Sequence, residues 1–430
     1  MGKTFMPVQK SAKELPAFQL EGLKWTVQHA YKGSPIYRKK FEGAGVKPEQ
    51  IKTLQDLRRL PFTTADDLKA GYPFPLLSVP MEDVVRIHAS SGTTGKRKVL
   101  AYTARDIDDW ANFFARCYEM AGMTTVDRVQ IAVGYGVWTA GVGFQLGCER
   151  FGAMAIPMGP GNIDMQCEFL VDFQTTVLCC TASMGLLMAE EVEKRGIREK
   201  INLKKVIFGS ERSSDSMRSK IQDLLGVEHI FDIPGMTELY GPGTGLDCVH
   251  HTGIHYWADY YIAEFLDPET LEPVPEGEIG ELVVTTLRKE AVPLVRYRTR
   301  DLTRAIPGTC LCGSILPRHD RFLGRSDDMF IIRAVNVYPG QIDHVLSAIT
   351  GIGSEYQVHL KRGSDGKDYM TIKVERGKEC SADVDASCKK AVESQVKKQI
   401  MVSCDCEVCG YGALPRSERK TKRVFDTREE

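Results

Sequence analysis

Between two apolar runs, Val84–Ala89 and Lys98–Tyr102, the chain places Ser90, Ser91, Gly92, Thr93, Thr94, Gly95 and Lys96 in succession. Glycines let backbone N–H groups close on an anion, hydroxyls add donors, and a lysine adds charge, so this loop suits a polyphosphate. It is not a Walker A loop, which needs Gly where Ser90 stands and Ser or Thr where Arg97 stands. Taken alone, such a loop is equally well read as a flexible turn.

Other residues bear chemistry of their own. Thr237-Glu238 follows a run predicted as a strand, where a carboxylate near a phosphate loop suits a hard cation. The plainer reading is a helix N-cap followed by an acidic residue. Asp301 follows Arg296–Arg300 and has two oxygens for two neighbouring donors; a surface ion pair with Arg300 or Arg304 is the alternative. Lys420 lies in a basic segment with Lys422 and Arg423, which also reads as a solvated tail. Tyr135, Gly136 and Trp138 offer aromatic walls with room between them, or ordinary core.

Cys248, His250, His251 and His255 fall close together, and Cys310-Leu311-Cys312-Gly313 follows a β-rich stretch. Two pairs of soft and borderline donors suit tetrahedral Zn²⁺, although neither half has zinc-finger spacing. Buried cysteines beside surface histidines are the alternative. In Cys404–Cys409 the alternation puts Cys404, Cys406 and Val408 on one strand face, as core, with a second metal site as the alternative. Cys117, Cys148, Cys167, Cys179 and Cys180 also read as core, while Cys380 and Cys388 have no assigned place.

The elements that must position these groups follow from periodicity. Leu20, Leu23, Val27 and Ala30 mark a helix that Gly33-Ser34-Pro35 ends. Thr103 with Asp106 forms a capping box ahead of Ile107, Trp110, Phe114 and Cys117 at helical spacing. Short apolar runs at Val129–Val133, Met154–Ile156, Val177–Cys180, Val206–Phe208 and His229–Ile233 alternate with helical segments, the pattern of a largely parallel, helix-covered sheet. Beyond Gly253 the texture is β-rich, with strands at Tyr260–Leu266 and Gly280–Thr286. The last ~100 residues read as a small α+β domain. It has helices at Pro339–Ile349 and Ser381–Gln399, strands near Gln357–Lys361 and Tyr369–Val374, and a final strand before Pro415.

Composition excludes several classes. The 430 residues, 43% hydrophobic and 26% charged, are those of a globular chain of two or three domains. Lys plus Arg number 56 against 57 Asp plus Glu, so no global charge favours nucleic acid or anionic membrane. The 13 cysteines do not resemble a disulfide scaffold, Met1–Met6 has no apolar run of a signal peptide, and the Val177–Ala189 stretch is too short for a bilayer. The expected compartment is the cytoplasm.

The loop at 90–96 resembles the phosphate loop of adenylate-forming enzymes. The segments at 60–74, 297–301, 324–339 and 414–424 sharpen the resemblance to the phenylacetate–CoA ligase family, in the family's order over roughly residues 20–425. The resemblance implies an α/β fold. Its large N-terminal adenylation domain (1–325) has mainly parallel, helix-covered sheets and a β-rich subdomain, and a small mobile α+β lid (326–430) carries the catalytic lysine. It implies that a carboxylate attacks the α-phosphate of ATP, expelling pyrophosphate, and that CoA then displaces AMP. Thr237 would touch the α-phosphate, Glu238 Mg²⁺, and Asp301 the ribose hydroxyls. Lys420 would bridge the carboxylate and α-phosphate, and Asp327 would be the hinge.

The nucleotide site would further include Gly209, Ser210, Glu211, Asp232, Pro234, Gly235, Met236 and Arg325. Pro234 replaces the family's adenine-stacking aromatic, leaving adenine to the backbone at 209–211 and an apolar sandwich. Tyr135, Gly136, Trp138 and Gly235 would line an aryl or arylacetic acid pocket. Ala334 and Asn336 would border the CoA arm. Family members carry a Cys…Gly-x-His and a Cys-x-Cys-Gly element, which selects Cys248, His255, Cys310 and Cys312 for a structural Zn²⁺, with His250 or His251 as fallback. Ala334 and Arg419 stand where relatives have glycine, which keeps open an acceptor other than CoA: an amine, a carrier protein or a stable AMP adduct. A non-catalytic, zinc-stabilised nucleotide binder is the third reading. Related ligases are often homodimers, and nothing in the sequence bears on that.

Overall fold

The structure is a computed structural model that describes residues 4–8, 11–90, 97–137, 140–210, 213–332, 335–363, 367–415 and 423–428. The chain forms two compact units. One comprises Met1–Cys180, Ile201–Ser210 and Phe231–Arg321; the other comprises Thr181–Lys200, Glu211–Ile230 and Phe322–Glu430.

Helices α1 (Leu15–Gly33) and α2 (Pro35–Gly43) meet at Ser34, whose extended backbone ends the first and whose hydroxyl caps the second. Strands β1 (Arg86–Ala89) and β2 (Val99–Tyr102) pair antiparallel around the 90–96 loop, with Ala89 opposite Val99. Helix α3 (Ala104–Met120) opens on the Thr103/Asp106 capping box and buries Trp110, Phe113, Phe114 and Cys117.

Strand β3 (Arg128–Ile131), helix α4 (Ala140–Phe151), β4 (Met154–Pro157), α5 (Ile163–Asp172) and β5 (Val177–Thr181) continue the expected alternation. So do α6 (Ala182–Lys194), β6 (Lys205–Gly209), α7 (Asp215–Leu225) and β7 (His229–Asp232). The five strands form one sheet in the order β4-β3-β5-β6-β7, and β3 runs parallel to both its neighbours. The apolar stretch Val177–Ala189 is a strand followed by a helix start, divided where Thr181 caps α6. Among the described residues no helix is long and apolar enough to cross a membrane.

Helix α4 crosses α3 closely because it offers glycine at the contact. A Cβ on Gly147 would lie 2.1 Å from that of Phe114, and one on Gly143 2.3 Å from the Phe114 ring.

The β-rich segment begins with a short hairpin, β8 (Gly235–Met236) and β9 (Gly241–Pro242). Strands β10 (Gly245–Asp247) and β11 (Ile254–Tyr256) follow. Strands β12 (Tyr261–Leu266), β13 (Gly280–Thr286) and β14 (Tyr297–Thr303) form consecutive antiparallel pairs. Strands β15 (Ala305–Ile306) and β16 (Arg318–His319) join the earlier pair in the order β10-β11-β16-β15.

In the second unit, helices α8 (Pro339–Ser347) and α9 (Asp385–Ile400) accompany a sheet in the order Asp405–Cys409, Asp368–Arg376, Ile352–Arg362, Val424–Asp426. Val358, Leu360, Ile372, Val374, Val392, Val396 and Cys406 form its core, and Cys404 packs against it. The strand Val424–Asp426 lies just beyond the basic segment and was not legible as a strand. Its residues pair in parallel with Val358–Leu360, a long-range partner that no local pattern announces. Cys117, Cys148, Cys167, Cys179 and Cys180 are buried as expected, and so is the unassigned Cys388, on α9.

Candidate active site and cysteine–histidine cluster

Residues 91–96 lie outside the described residues, but their flanks are tied together. Ser90 N donates to Lys98 O at 3.0 Å, and Lys98 N to Ser90 Oγ at 3.3 Å. That bond pair closes the β1–β2 hairpin and directs Lys98 toward Glu238, on whose Oε1 its amine forms a close ion pair. Tyr297 Oη donates to the same oxygen at 2.9 Å.

Thr237 and Glu238 occupy the turn between β8 and β9, not a helix N-terminus. Their main chain is held from the other side. Tyr102 Oη donates to Thr237 O at 2.9 Å, and Lys289 Nζ to Glu238 O at 2.8 Å. Burial pushes the Glu238 carboxyl up, but the Lys98 charge and the hydrogen bonds outweigh it and hold the group below its ordinary value. Burial lowers the Lys289 amine from 10.5 to about 8, against the pull of Asp106 and Glu238.

Two of the motifs behind the resemblance meet in the backbone. Thr63 N donates to Arg296 O at 3.1 Å and Arg298 N to Thr63 O at 2.9 Å, while the Arg296 guanidinium lies 4.0 Å from the Phe62 ring centre. Segment 60–74 therefore anchors the start of β14, which carries Tyr297 and Asp301. Asp301 is half-buried, its N–H bound to Thr299 Oγ1 at 3.0 Å. Arg300 reaches Glu281, and Arg304 pairs with Asp320.

Gly209 ends β6, and Ser210 follows with φ of 77°. Asp232 ends β7, its N–H bound to Asp247 Oδ1 and its carboxylate 4.0 Å from Arg321. Pro234 O accepts from Gly243 N and Thr244 N. Gly235 must be glycine, because a Cβ there would lie 2.2 Å from Pro242 Cα. Met236 completes β8. Tyr135 and Gly136 lie in the loop after β3, where the Tyr135 ring fills the space that a Cβ on Gly141 would need, 2.6 Å away. The glycine there thus accommodates the Tyr135 ring itself.

In the second unit, Arg325 and Asp327 form a two-point ion pair, both contacts 2.8 Å. Asn336 lies in the strand Val335–Val337. Trp138, Glu211, Ala334 and Lys420 lie outside the described residues.

The structure brings Cys248, His255, Cys310 and Cys312 together, their donor atoms all within 4.8 Å of one another. Cys248 follows β10 and His255 sits on β11, whose register places His255 opposite Leu246. The cysteine pair sits on the turn before β16, where Gly313 (φ 75°) closes the bend with its N–H on Cys310 O. Cys248 Sγ lies 3.5 Å from Cys310 Sγ, and Cys312 Sγ 3.4 Å from His255 Nε2. These two edges fall within the ~3.3–3.8 Å of a tetrahedron with zinc–ligand bonds of about 2.0–2.3 Å. His255 Nδ1 donates to Leu316 O at 2.9 Å, which leaves Nε2 with its lone pair toward the thiols. Of the fallback residues, His251 instead pairs with Asp247 at 2.7 Å. Burial raises the Cys248 thiol to about 12. Burial also opposes ionisation of Cys310, but donors from Cys312 N and Thr252 Oγ1 draw it down to about 5.

Lys98 and Lys289 are the residues that sequence reasoning missed. Lys98 was legible only as the start of a strand, with the loop's charge assigned to Lys96.

The class to which this fold and turn belong is that of the AMP-binding enzymes. Residues 29–287 match that family, and residues 334–428 match the AMP-binding enzyme C-terminal domain. More narrowly, the chain belongs to the phenylacetate–coenzyme A ligase family of AMP-forming acyl-CoA ligases. It is 43% identical to the phenylacetate-coenzyme A ligase of Escherichia coli (strain K12), over 97% of this chain and 96% of that one. It is 41% identical to the one from Pseudomonas putida, over 97% and 95%. Among solved structures, a 2-hydroxyisobutyryl-CoA ligase in the postadenylation state superposes with a TM-score of 0.89 at 27% identity, covering 97% of this chain and 91% of that one.

Proposed function

We propose that this enzyme adenylates phenylacetate or a close arylacetic acid with ATP, releases pyrophosphate, and transfers the acyl group to CoA. The observation that carries the reading is the Thr237–Glu238 turn, pinned through its main chain and facing the lysine of the loop hairpin. A buried carboxylate already matched to a cation is a hard-oxygen donor suited to Mg²⁺ beside phosphates. On this reading Glu238 would hold Mg²⁺, which neutralises phosphate charge during adenylation. Thr237 and residues 90–96 would hold the phosphates, with Lys98 added to that set. Asp301 would hold the ribose, and the Gly209–Glu211 backbone, Asp232, Pro234, Met236 and Arg325 the rest of the nucleotide. Tyr135, Gly136, Trp138 and Gly235 would line the acid pocket.

Lys420 would bridge the carboxylate and α-phosphate from a lid beginning at residue 326, with Asp327 as its hinge and Ala334 and Asn336 along the CoA arm. The names of the relatives, coenzyme A ligases over nearly the whole chain, favour CoA over other acceptors. Cys248, His255, Cys310 and Cys312 would hold a structural Zn²⁺, four protein ligands leaving no position open for catalysis. Free thiols of this kind fit a reducing cytoplasm.

The test is phenylacetate-dependent ATP–pyrophosphate exchange, followed by phenylacetyl-CoA formation when CoA is added. Exchange with no thioester product would move the acceptor away from CoA. Absence of exchange over a panel of aryl and arylacetic acids would overturn the reading.

A further inference from the structure

Lys289 is fully buried, yet it carries an amine. Moving an ammonium into the interior is costly, and an apolar side chain of like size would usually give a more stable fold. The site explains what the amine does. It donates 2.8 Å to the main-chain carbonyl of Glu238, and it stands 4.7 and 5.3 Å from the ring centres of Tyr102 and Tyr240. The neighbouring carbonyl, that of Thr237, takes the Tyr102 hydroxyl. The turn that aims Glu238 at Lys98 is thus gripped by two side-chain donors 51 and 135 residues distant in sequence.

The base of Lys289 is itself fixed. Asp106, at the start of α3, accepts from the N–H groups of Glu290 and Ala291 at 2.8 and 2.9 Å, and from Thr103 N at 3.1 Å. Thr103 Oγ1 and Arg105 hold the Glu290 carboxylate on the same loop. A rigid path therefore runs from the α3 cap to the 289–291 loop, through the amine, and into the carboxylate-bearing turn.

We propose that Lys289 is a positioning residue for adenylation, holding the Thr237–Glu238 turn so that the Glu238 carboxylate keeps its place for Mg·ATP. The inference rests on the nucleotide site proposed above. Lys289 touches no substrate; it acts through the backbone of Glu238. Supporting groups of this kind govern ligand affinity as well as rate.

The experiment compares wild type with Lys289→Met in two assays. One is calorimetric binding of Mg²⁺ with a non-hydrolysable ATP analogue; the other is phenylacetate-dependent pyrophosphate exchange. Expected for the variant are analogue binding weaker by about tenfold or more, exchange kcat lower by about 10–100-fold, and KM for phenylacetate within about twofold of wild type. Binding and exchange at wild-type values in a folded Lys289→Met protein would overturn the proposal, and so would equal losses for analogue and acid. If Lys289→Met does not fold, Tyr102→Phe decides. It keeps the ring and removes the other grip, so a smaller fall in the same two constants supports the proposal and unchanged constants overturn it. A wild type that binds the analogue but shows no exchange would refute the proposed reaction, while the binding comparison would still judge Lys289.

Discussion

The amine of Lys98 rests on the carboxylate of Glu238, 140 residues away in sequence, and the hydroxyl of Tyr297 donates to the same oxygen. The three side chains come from β2's leading edge, the β8–β9 turn and β14, so the pair reports on the assembly of the whole first unit.

Replacing Glu238 by Gln keeps the shape and removes the charge. Pyrophosphate exchange is expected to fall by about 100-fold or more, a loss of the size seen when one electrostatic group is removed from a preorganised site. Exchange within about threefold of wild type would show that Glu238 does not serve the reaction.

Lys98→Met tests the other partner through pH. The Glu238 carboxyl is depressed in the fold, so it contributes stability above its unfolded value that is lost as pH falls through the folded value. Without Lys98, burial dominates and the carboxyl rises. Above that raised value the unpartnered carboxylate costs the variant stability, and the cost fades as the group protonates. Acidification from pH 7 toward 4 should therefore narrow the variant's deficit against wild type, read from urea midpoints across that range. Parallel curves for the two proteins would contradict this account.

Lys289 gives the opposite pH signature. Its amine is lowered from 10.5 to about 8 in the fold. Below about 8 both states are protonated and the penalty for the buried charge is fully present, of the order of 3 kcal/mol. As pH rises from 8 to 10.5 the penalty fades. The groups that face the amine are Asp106 on α3, Glu238, His88 on β1, Tyr102 on β2 and Tyr240. Chemical denaturation of wild type and Lys289→Met should show wild type gaining on the variant across that window, and a difference that stays constant with pH would count against a depressed Lys289 amine.

Removal of metal should act through stability. A strong chelator is expected to release one zinc per chain and lower the melting temperature, and, once the chelator is removed and Mg²⁺ restored, to leave exchange intact for as long as the protein remains folded. Cys310→Ser should reduce bound zinc in the same way. Full metal-free stability, measured by melting after metal analysis, would mean that the four residues are simply packed thiols and an imidazole.

Arg116 and Asp259 form a buried two-point ion pair at 2.8 and 3.0 Å, with Arg116 also donating to Phe5 O and lying 5.0 Å from the Trp257 ring centre. Asp259→Ala would strand the guanidinium, so a loss of about 3–5 kcal/mol in unfolding free energy is expected. A loss below about 1 kcal/mol would mean that water reaches the site.

Much of this protein is determined by neighbours in sequence. The Thr103/Asp106 cap, the stop at Ser34-Pro35 and the apolar runs of β3 to β7 depend on residues a few positions apart, and local patterns reveal them. The cysteine–histidine set was legible in part: residue types suggested its two halves, while the choice of His255 over His250 and His251 came from the family resemblance, and the structure brings those four together. Side-chain direction and long-range pairing are different in kind. Whether Lys96 or Lys98 meets Glu238 depends on how the hairpin closes at Ser90. Thr63 meets the segment that opens β14 through two main-chain bonds that any residue type makes and through its hydroxyl on Val295 O, 232 residues away. A buried lysine in a Leu-Arg-Lys-Glu run looks like any surface charge until α3 and the β8–β9 turn close over it. Composition and periodicity record what a residue prefers, while the tertiary structure decides which distant carbonyl or carboxylate it must satisfy once water is gone.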